Sequence, residues 1–130
     1  MDSAVLRGLP FFSDLEDNEV ELLATHADEV SVAEGRDIVR EGDFSYDLFV
    51  VVDGSAEVRR DGATLATLGP GDFFGEAGVL GKGLRNASVT TRESTRLVTL
   101  NHWDVKRLRR EIPQVIERME QALAQRSGGE

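Results

Sequence analysis

Apolar and polar positions divide the chain into three stretches with different periods. In the first, Phe11-Phe12 leads into Ser13-Asp14-Leu15-Glu16, after which Val20, Leu23, Ala24 and Ala27 recur at helical spacing. Ser13 with Glu16 three residues later has the form of an N-terminal capping box, so the spacing predicts a helix from there to about Ala27. From Asp28 to Leu100 the period shortens to two. Val30 and Val32 alternate with polar neighbours, Ile38-Val39-Arg40 follows Gly35, and Tyr46 to Val52 is β-branched and aromatic. Ala56 and Val58, Thr64 to Leu68, Asn86 to Thr91 and Thr95 to Leu100 continue the series. Turns punctuate it at Glu41-Gly42-Asp43, Asp53-Gly54, Asp61-Gly62 and Gly69-Pro70-Gly71-Asp72. Short strands this closely spaced imply an antiparallel barrel or jelly roll.

The third stretch returns to helix. Asn101 can cap a helix with Asp104 in its first turn, and Val105, Leu108 and Ile112 form the apolar stripe. Trp103 on this helix reads as a packing residue. Pro113 marks a break or a new helix start. Val115, Ile116, Met119, Ala122 and Leu123 then form a second stripe. That stripe needs cover, from the domain itself or from a second copy in a homodimer. Ser127-Gly128-Gly129-Glu130 reads as a frayed tail.

At 130 residues with 40% hydrophobic content, the chain is one domain with a single core. No apolar run is long enough for a membrane helix, and the first seven residues lack the features of a secretion signal. The absence of cysteine rules out disulfides, thiolate metal sites and a cysteine nucleophile. A cytoplasmic location fits these features. The net charge is -9, and residues 1–53 hold fourteen acids against Arg7, Arg36 and Arg40. Such a surface repels phosphate backbones, so no nucleic-acid partner is expected. It also gives an anionic ligand no long-range attraction, so any anion site must work by local geometry. His26 and His102, the only histidines, are far apart in the chain, and no metal site or catalytic constellation stands out.

Phe74-Gly75-Glu76, followed by Arg85-Asn86-Ala87-Ser88-Val89, carries the chemistry. Gly75 lets backbone approach a ligand closely. The N–H groups opening a following helical turn would point at an anion. Arg85 offers a forked donor pair to a phosphate, and Glu76 can accept from a ribose hydroxyl. A sugar and a phosphate on one ligand suggest a nucleotide, and the lack of a P-loop argues against a triphosphate.

The segment Phe74 to Val89 resembles the phosphate-binding cassette of the cyclic nucleotide-binding domain family, and the likeness extends from about Leu9 to Leu123. The family includes catabolite-activator-like regulators and regulatory subunits of cyclic AMP-dependent kinase. The resemblance implies an α+β, mainly β fold: an eight-stranded antiparallel β-roll with an N-terminal helix, a short cassette helix and two C-terminal helices. One domain then fills residues 1–130, with an N-terminal helical segment at 9–27, the roll at 28–100, the cassette at 74–89 and hinge and lid helices at 101–126. The resemblance implies ligand contacts from Gly75, Glu76, Ala77, Arg85, Asn86, Ala87 and Ser88. It also implies a cap over the base from the last helix, for which Ile116, Met119 and Leu123 are the candidates. Alternatively, these three pack that helix on the domain. Val51, Leu65, Phe73 and Val89 are candidates for apolar walls around the base.

Three positions depart from the family pattern. Thr directly after the Arg tends to go with cyclic GMP and Ala with cyclic AMP, whereas this chain has Asn86. Gly78 stands where Ala is usual, weakening the cassette helix by about 0.5–1 kcal/mol. Leu84 replaces a frequent Pro, and with Gly81 and Gly83 it implies a cassette that orders on binding. The expectation is a sensor without catalytic residues, metal or cofactor, whose ligand is cyclic AMP or else cyclic GMP. Ligand would close the cassette and reposition the C-terminal helices for an unidentified protein partner or output domain. The rivals are a degenerate roll used for protein interaction, a sensor of another small anion, and a cupin-like enzyme.

Overall fold

The computed structural model describes residues 1–40, 42, 47–74 and 87–129, with side chains through residue 121. The chain opens with α1 (Ser3–Arg7), a 3-10 turn at Pro10–Phe12, and α2 (Asp17–His26). Eight strands follow among the described residues: β1 (Asp28–Val32), β2 (Asp37–Val39), β3 (Leu48–Asp53), β4 (Ala56–Arg60), β5 (Ala63–Leu68), β6 (Phe73–Phe74), β7 (Ser88–Thr91) and β8 (Thr95–Leu100). Two helices close the chain, α3 (His102–Glu111) and α4 (Pro113–Gly129).

The strands form two antiparallel four-stranded sheets, ordered β1-β8-β3-β6 and β2-β7-β4-β5. Side chains alternate across a strand, so a strand apolar at every position must be covered on both faces. β3 is such a strand from Leu48 to Val52. Leu48 and Val50 join a cluster with the helices, while Phe49 and Val51 join a second cluster with the facing sheet. β6 divides in the same way, Phe73 toward the helices and Phe74 inward. On β8, Val98 and Leu100 face the helices and Leu97 faces inward. The first sheet is therefore the middle layer, between the helices and the second sheet.

Tight turns make the roll possible. Arg60 pairs with Ala63 across a two-residue loop in which Asp61 (φ 53°) and Gly62 (φ 80°) are both left-handed. That is the backbone twist a two-residue hairpin prefers. Gly54 (φ 94°) turns β3 into β4, and a Cβ there would lie 2.5 Å from Thr95 Oγ1 and 2.7 Å from Thr95 Cα. The buried Thr95 hydroxyl donates to the carbonyls of Ser55 (3.2 Å) and Glu93 (2.9 Å), tying that turn to the next.

The helical ends match the sequence reading at one end of the chain and correct it at the other. Asn101 caps α3, its side chain accepting from the Asp104 N–H at 2.9 Å, and α4 begins at Pro113. The helix expected from Ser13 instead starts at Asp17, where the Glu16 N–H donates to Glu19 Oε1 at 2.9 Å. Ser13 closes the preceding 3-10 turn by donating to the Pro10 carbonyl at 3.1 Å. This delay lets Phe12 and Leu15 both reach the core before the helix sets its own period. α4 continues to Gly129, past the point where the tail reads as frayed; extending an existing helix adds a hydrogen bond for each residue fixed.

Val115, Ile116 and Met119 on α4 are fully buried in the helical cluster with Leu6, Phe12, Val20 and Leu23. Gln114 Nε2 donates to Glu19 Oε2 at 2.9 Å, and Arg118 donates to the Phe11 carbonyl at 3.0 Å and to the Asp14 carboxylate. The chain's own N-terminal segment thus supplies the cover for this part of the last helix, and these three residues require no second copy.

Candidate ligand-binding site

Two anchored strands frame the segment that carries the candidate chemistry. β6 pairs with β3 through Phe49 opposite Phe74 and Val50 opposite Phe73, so the chain reaches residue 75 from the first sheet. β7 lies between β2 and β4, so the chain leaves residue 86 into the second sheet. Residues 75–86 therefore join the two sheets. Gly75, Glu76, Ala77, Arg85 and Asn86, with Gly78, Gly81, Gly83 and Leu84, lie outside the described residues.

The strand leading in is held on two sides. Val51 N–H donates to the Asp72 carbonyl and Gly71 N–H to the Val51 carbonyl, both at 2.8 Å. The Asp72 carboxylate accepts from Gly69 N–H at 2.8 Å, closing the turn on itself. Gly71 (φ 90°) packs against Pro10, whose Cδ would be 3.2 Å from an added Cβ. The strand leading out is pinned by Thr91. Its buried hydroxyl accepts from Arg36 N–H at 2.9 Å and donates to the Ala33 carbonyl at 2.6 Å. Its backbone N–H donates to the Arg36 carbonyl and its carbonyl accepts from Gly35 N–H, each at 2.9 Å. A buried hydroxyl with both roles satisfied fixes a turn rather than binding solvent.

Of the candidate site residues, Ala87 is buried just before β7, and Ser88 is half-buried on β7 opposite Arg59. Ile116 and Met119 serve the helical core, and the side chain of Leu123 lies outside the described set. Among the proposed apolar walls, Val51 and Val89 share the inter-sheet cluster. Phe73 turns to the helical side, edge-on to Phe11 at 5.0 Å between ring centres. Leu65 stands 52% exposed on β5, so it lines no interior surface. Phe74 opens the cassette motif and Phe49 lies in the expected Tyr46–Val52 strand, but neither was among the expected apolar walls; they stack inside the roll at 5.0 Å. The usable signal was their alternation with Leu48 and Phe73, each pair sending one side chain to each face.

Trp103 corrects the sequence reading: it is 71% exposed instead of packed. Among the described residues no group of three or more metal-ligating side chains converges. Asp14, bonded by Arg118, has its pKa held below the ordinary aspartate value, chiefly by that side-chain hydrogen bond, which outweighs an opposing effect of desolvation and is helped by the guanidinium charge.

A family model described as "Cyclic nucleotide-binding domain" matches residues 29–111, from β1 to the end of α3. The chain belongs to the cyclic nucleotide-binding domain family. Its relatives include the cyclic AMP receptor protein of Thermus thermophilus, 33% identical over 93% of this chain and 58% of that protein. The cAMP-dependent protein kinase regulatory subunit of Schizosaccharomyces pombe is 29% identical over 81% of this chain and 26% of its own length. The crystal structure of the Thermus thermophilus catabolite activator protein superposes with a TM-score of 0.82 at 33% identity, covering 92% of this chain and 59% of that one. This cyclic nucleotide-binding domain thus spans little more than half of one curated relative and about a quarter of the other. It has the two-sheet, mainly β architecture and flanking helices expected of a family roll.

Proposed function

We propose that this domain binds cyclic AMP, with cyclic GMP as the weaker alternative, and acts as a regulatory sensor rather than an enzyme. The observation that carries the reading is topological. The segment holding Gly75, Glu76 and Arg85 joins the two sheets and is flanked by Phe74 and Ala87, both buried. Phe74 belongs to an apolar cluster with Phe49, Val51, Val89 and Leu97, so the chain enters that segment from an apolar interior, which supports a ligand with an apolar base. Arg85 would neutralise the cyclic phosphate, backbone N–H groups after Gly75 would share it, and Glu76 would take the ribose hydroxyl. Ala87 and Ser88 would border the same phosphate, and Asn86 would bias the choice of base. The two relatives, a cyclic AMP receptor protein and a cAMP-dependent protein kinase regulatory subunit, support the choice of cyclic AMP.

Regulation would then act through α3 and α4. α3 packs through Val105 and Leu108, and α4 is held on the N-terminal segment by Gln114 and Arg118. A ligand that favours another position of α4 shifts the population by its difference in affinity for the two states. An output domain or protein partner would read the change. Calorimetry with cyclic AMP, cyclic GMP and 5′-AMP tests the ligand. Cyclic AMP should bind most tightly, and Arg85→Ala should weaken it by about 2–5 kcal/mol. No heat and no thermal shift with either cyclic nucleotide at millimolar concentration would end the reading. Unchanged affinity in Arg85→Ala would remove the site assignment alone.

A further inference from the structure

α3 has a second face that the roll does not use. Val105, Leu108 and Ile112 are buried, while Trp103, Lys106, Arg107 and Arg110 are exposed. Spacings of three and four residues put those four side chains on one strip. Lys106 Nζ lies 5.2 Å from the centre of the indole ring, and His102 meets the ring edge-on at 5.2 Å. Among the described residues Arg109 is paired, to Glu120 at 2.9 Å, whereas Lys106, Arg107 and Arg110 make no ion pair. A chain of net charge -9 thus displays, beside its only tryptophan, three cations that make no ion pair among the described residues.

We infer that this strip of α3 docks a short acidic peptide segment of a partner protein, one carrying an apolar side chain among its carboxylates. Trp and Arg are the residue types that anchor protein interfaces, because each combines large buried area with directional or charged contact. A cation already over the indole holds the ring in place, lowering the ordering cost of docking. The strip from residue 103 to residue 110 is roughly 10 Å long. In an extended peptide, alternate residues lie about 6.6 Å apart on one face, close to the spacing of these helix neighbours.

Charge selects among occupants. A nucleic acid carries its phosphates far beyond a strip of this length and would meet the acidic remainder of the surface. A second copy of this chain has acids to offer, but several near its N-terminus are engaged: Asp14 with Arg118, Asp17 with Arg7 and Glu19 with Gln114. A short acidic segment matches the strip without either conflict. This inference does not depend on the identity of the nucleotide.

Because Trp103 is the sole tryptophan, its emission reports the strip directly. The full chain is titrated with the heptapeptide Leu-Ser-Glu-Ser-Glu-Ser-Glu, which presents Leu and the carboxylates on one face when extended, with its counterpart in which each Glu is Gln, and with a ten-nucleotide oligothymidylate. The acidic peptide should give a saturable change that weakens at least about fivefold as salt rises from roughly 50 to 200 mM. The Gln peptide and the oligonucleotide should give none. By calorimetry, Trp103→Ala should bind about tenfold more weakly, and the triple reversal K106E/R107E/R110E should lose binding with its circular dichroism spectrum retained. If the triple variant does not fold, Arg110→Glu alone should bind about fivefold more weakly. The inference fails if millimolar acidic peptide gives no response, if the Gln peptide binds equally, or if the oligonucleotide binds more tightly. It also fails if charge reversal leaves affinity unchanged, or if sedimentation shows self-association that the same reversal abolishes.

Discussion

The sheet β1-β8-β3-β6 has an apolar surface on each face, and the two are finished differently. On the helical face, Leu48, Val50, Phe73, Val98 and Leu100 meet side chains from α1, α2, α3, α4 and the 3-10 turn, most of them almost wholly buried. Polar ties close the seam: the N-terminal amine donates to the Ala24 carbonyl at 2.7 Å, and Gln114 and Arg118 hold α4. On the inner face the described cluster is smaller: Val39, Phe49, Val51, Ala56, Leu68, Phe74, Val89 and Leu97. It borders the segment that carries Gly75, Glu76 and Arg85. One face commits its apolar area to packing against the helices, whereas the other, on the function proposed above, would share its area with a ligand.

The sharpest way to break this contrast is to truncate one residue on each side. Phe12→Ala should destabilise the fold by about 3–5 kcal/mol in urea unfolding while leaving cyclic AMP affinity within about twofold. Val89→Ala removes two methyl groups at about 0.8 kcal/mol each, so affinity should fall by up to about tenfold. Equal effects of the two on affinity would erase the division. Gly54→Ala strains a left-handed backbone and forces a contact with Thr95, so it should cost about 1–3 kcal/mol from backbone strain alone, read as a lowered melting temperature. Thr91→Val leaves the Arg36 N–H without its side-chain acceptor and should cost about 1–3 kcal/mol. Because that turn holds the strand leaving the cassette, its loss should also weaken ligand binding, which Gly54→Ala should not.

The smallest effect concerns the helical seam. Arg118 depresses the Asp14 pKa in the folded state, so the pair stabilises the fold above the ordinary aspartate value of 3.8 and is lost as pH falls through the folded value. Asp14→Asn should therefore be slightly less stable than the parent at pH 7, with the difference shrinking below pH 4 and in high salt. A difference that persisted at pH 2.5 would show that packing, not charge, holds that seam.

Local chemistry made much of this legible in advance. The Asp61-Gly62 hairpin, the Asn101 cap and the helix start at Pro113 depend on contacts a few residues apart, and all are present. The start of α2 was not legible, because burial of Phe12 and Leu15 overrode an equally good local cap at Ser13. β6 has only two residues, too few to show a period, and exists through its pairing with β3.

The candidate site could be proposed from sequence because Gly75, Glu76 and Arg85 lie in one short segment, where the chemistry of the residue types and their spacing suffice to suggest a ligand. Alternation along the chain likewise determined the β-rich class. Which face of each strand meets the helices depended on how the two sheets and the helical pieces pack. Coverage of the last helix by the chain's own N-terminus and the exposure of Trp103 have the same origin. The coverage is set by residues nearly a hundred positions apart, such as Gln114 and Glu19, whose meeting no local pattern encodes.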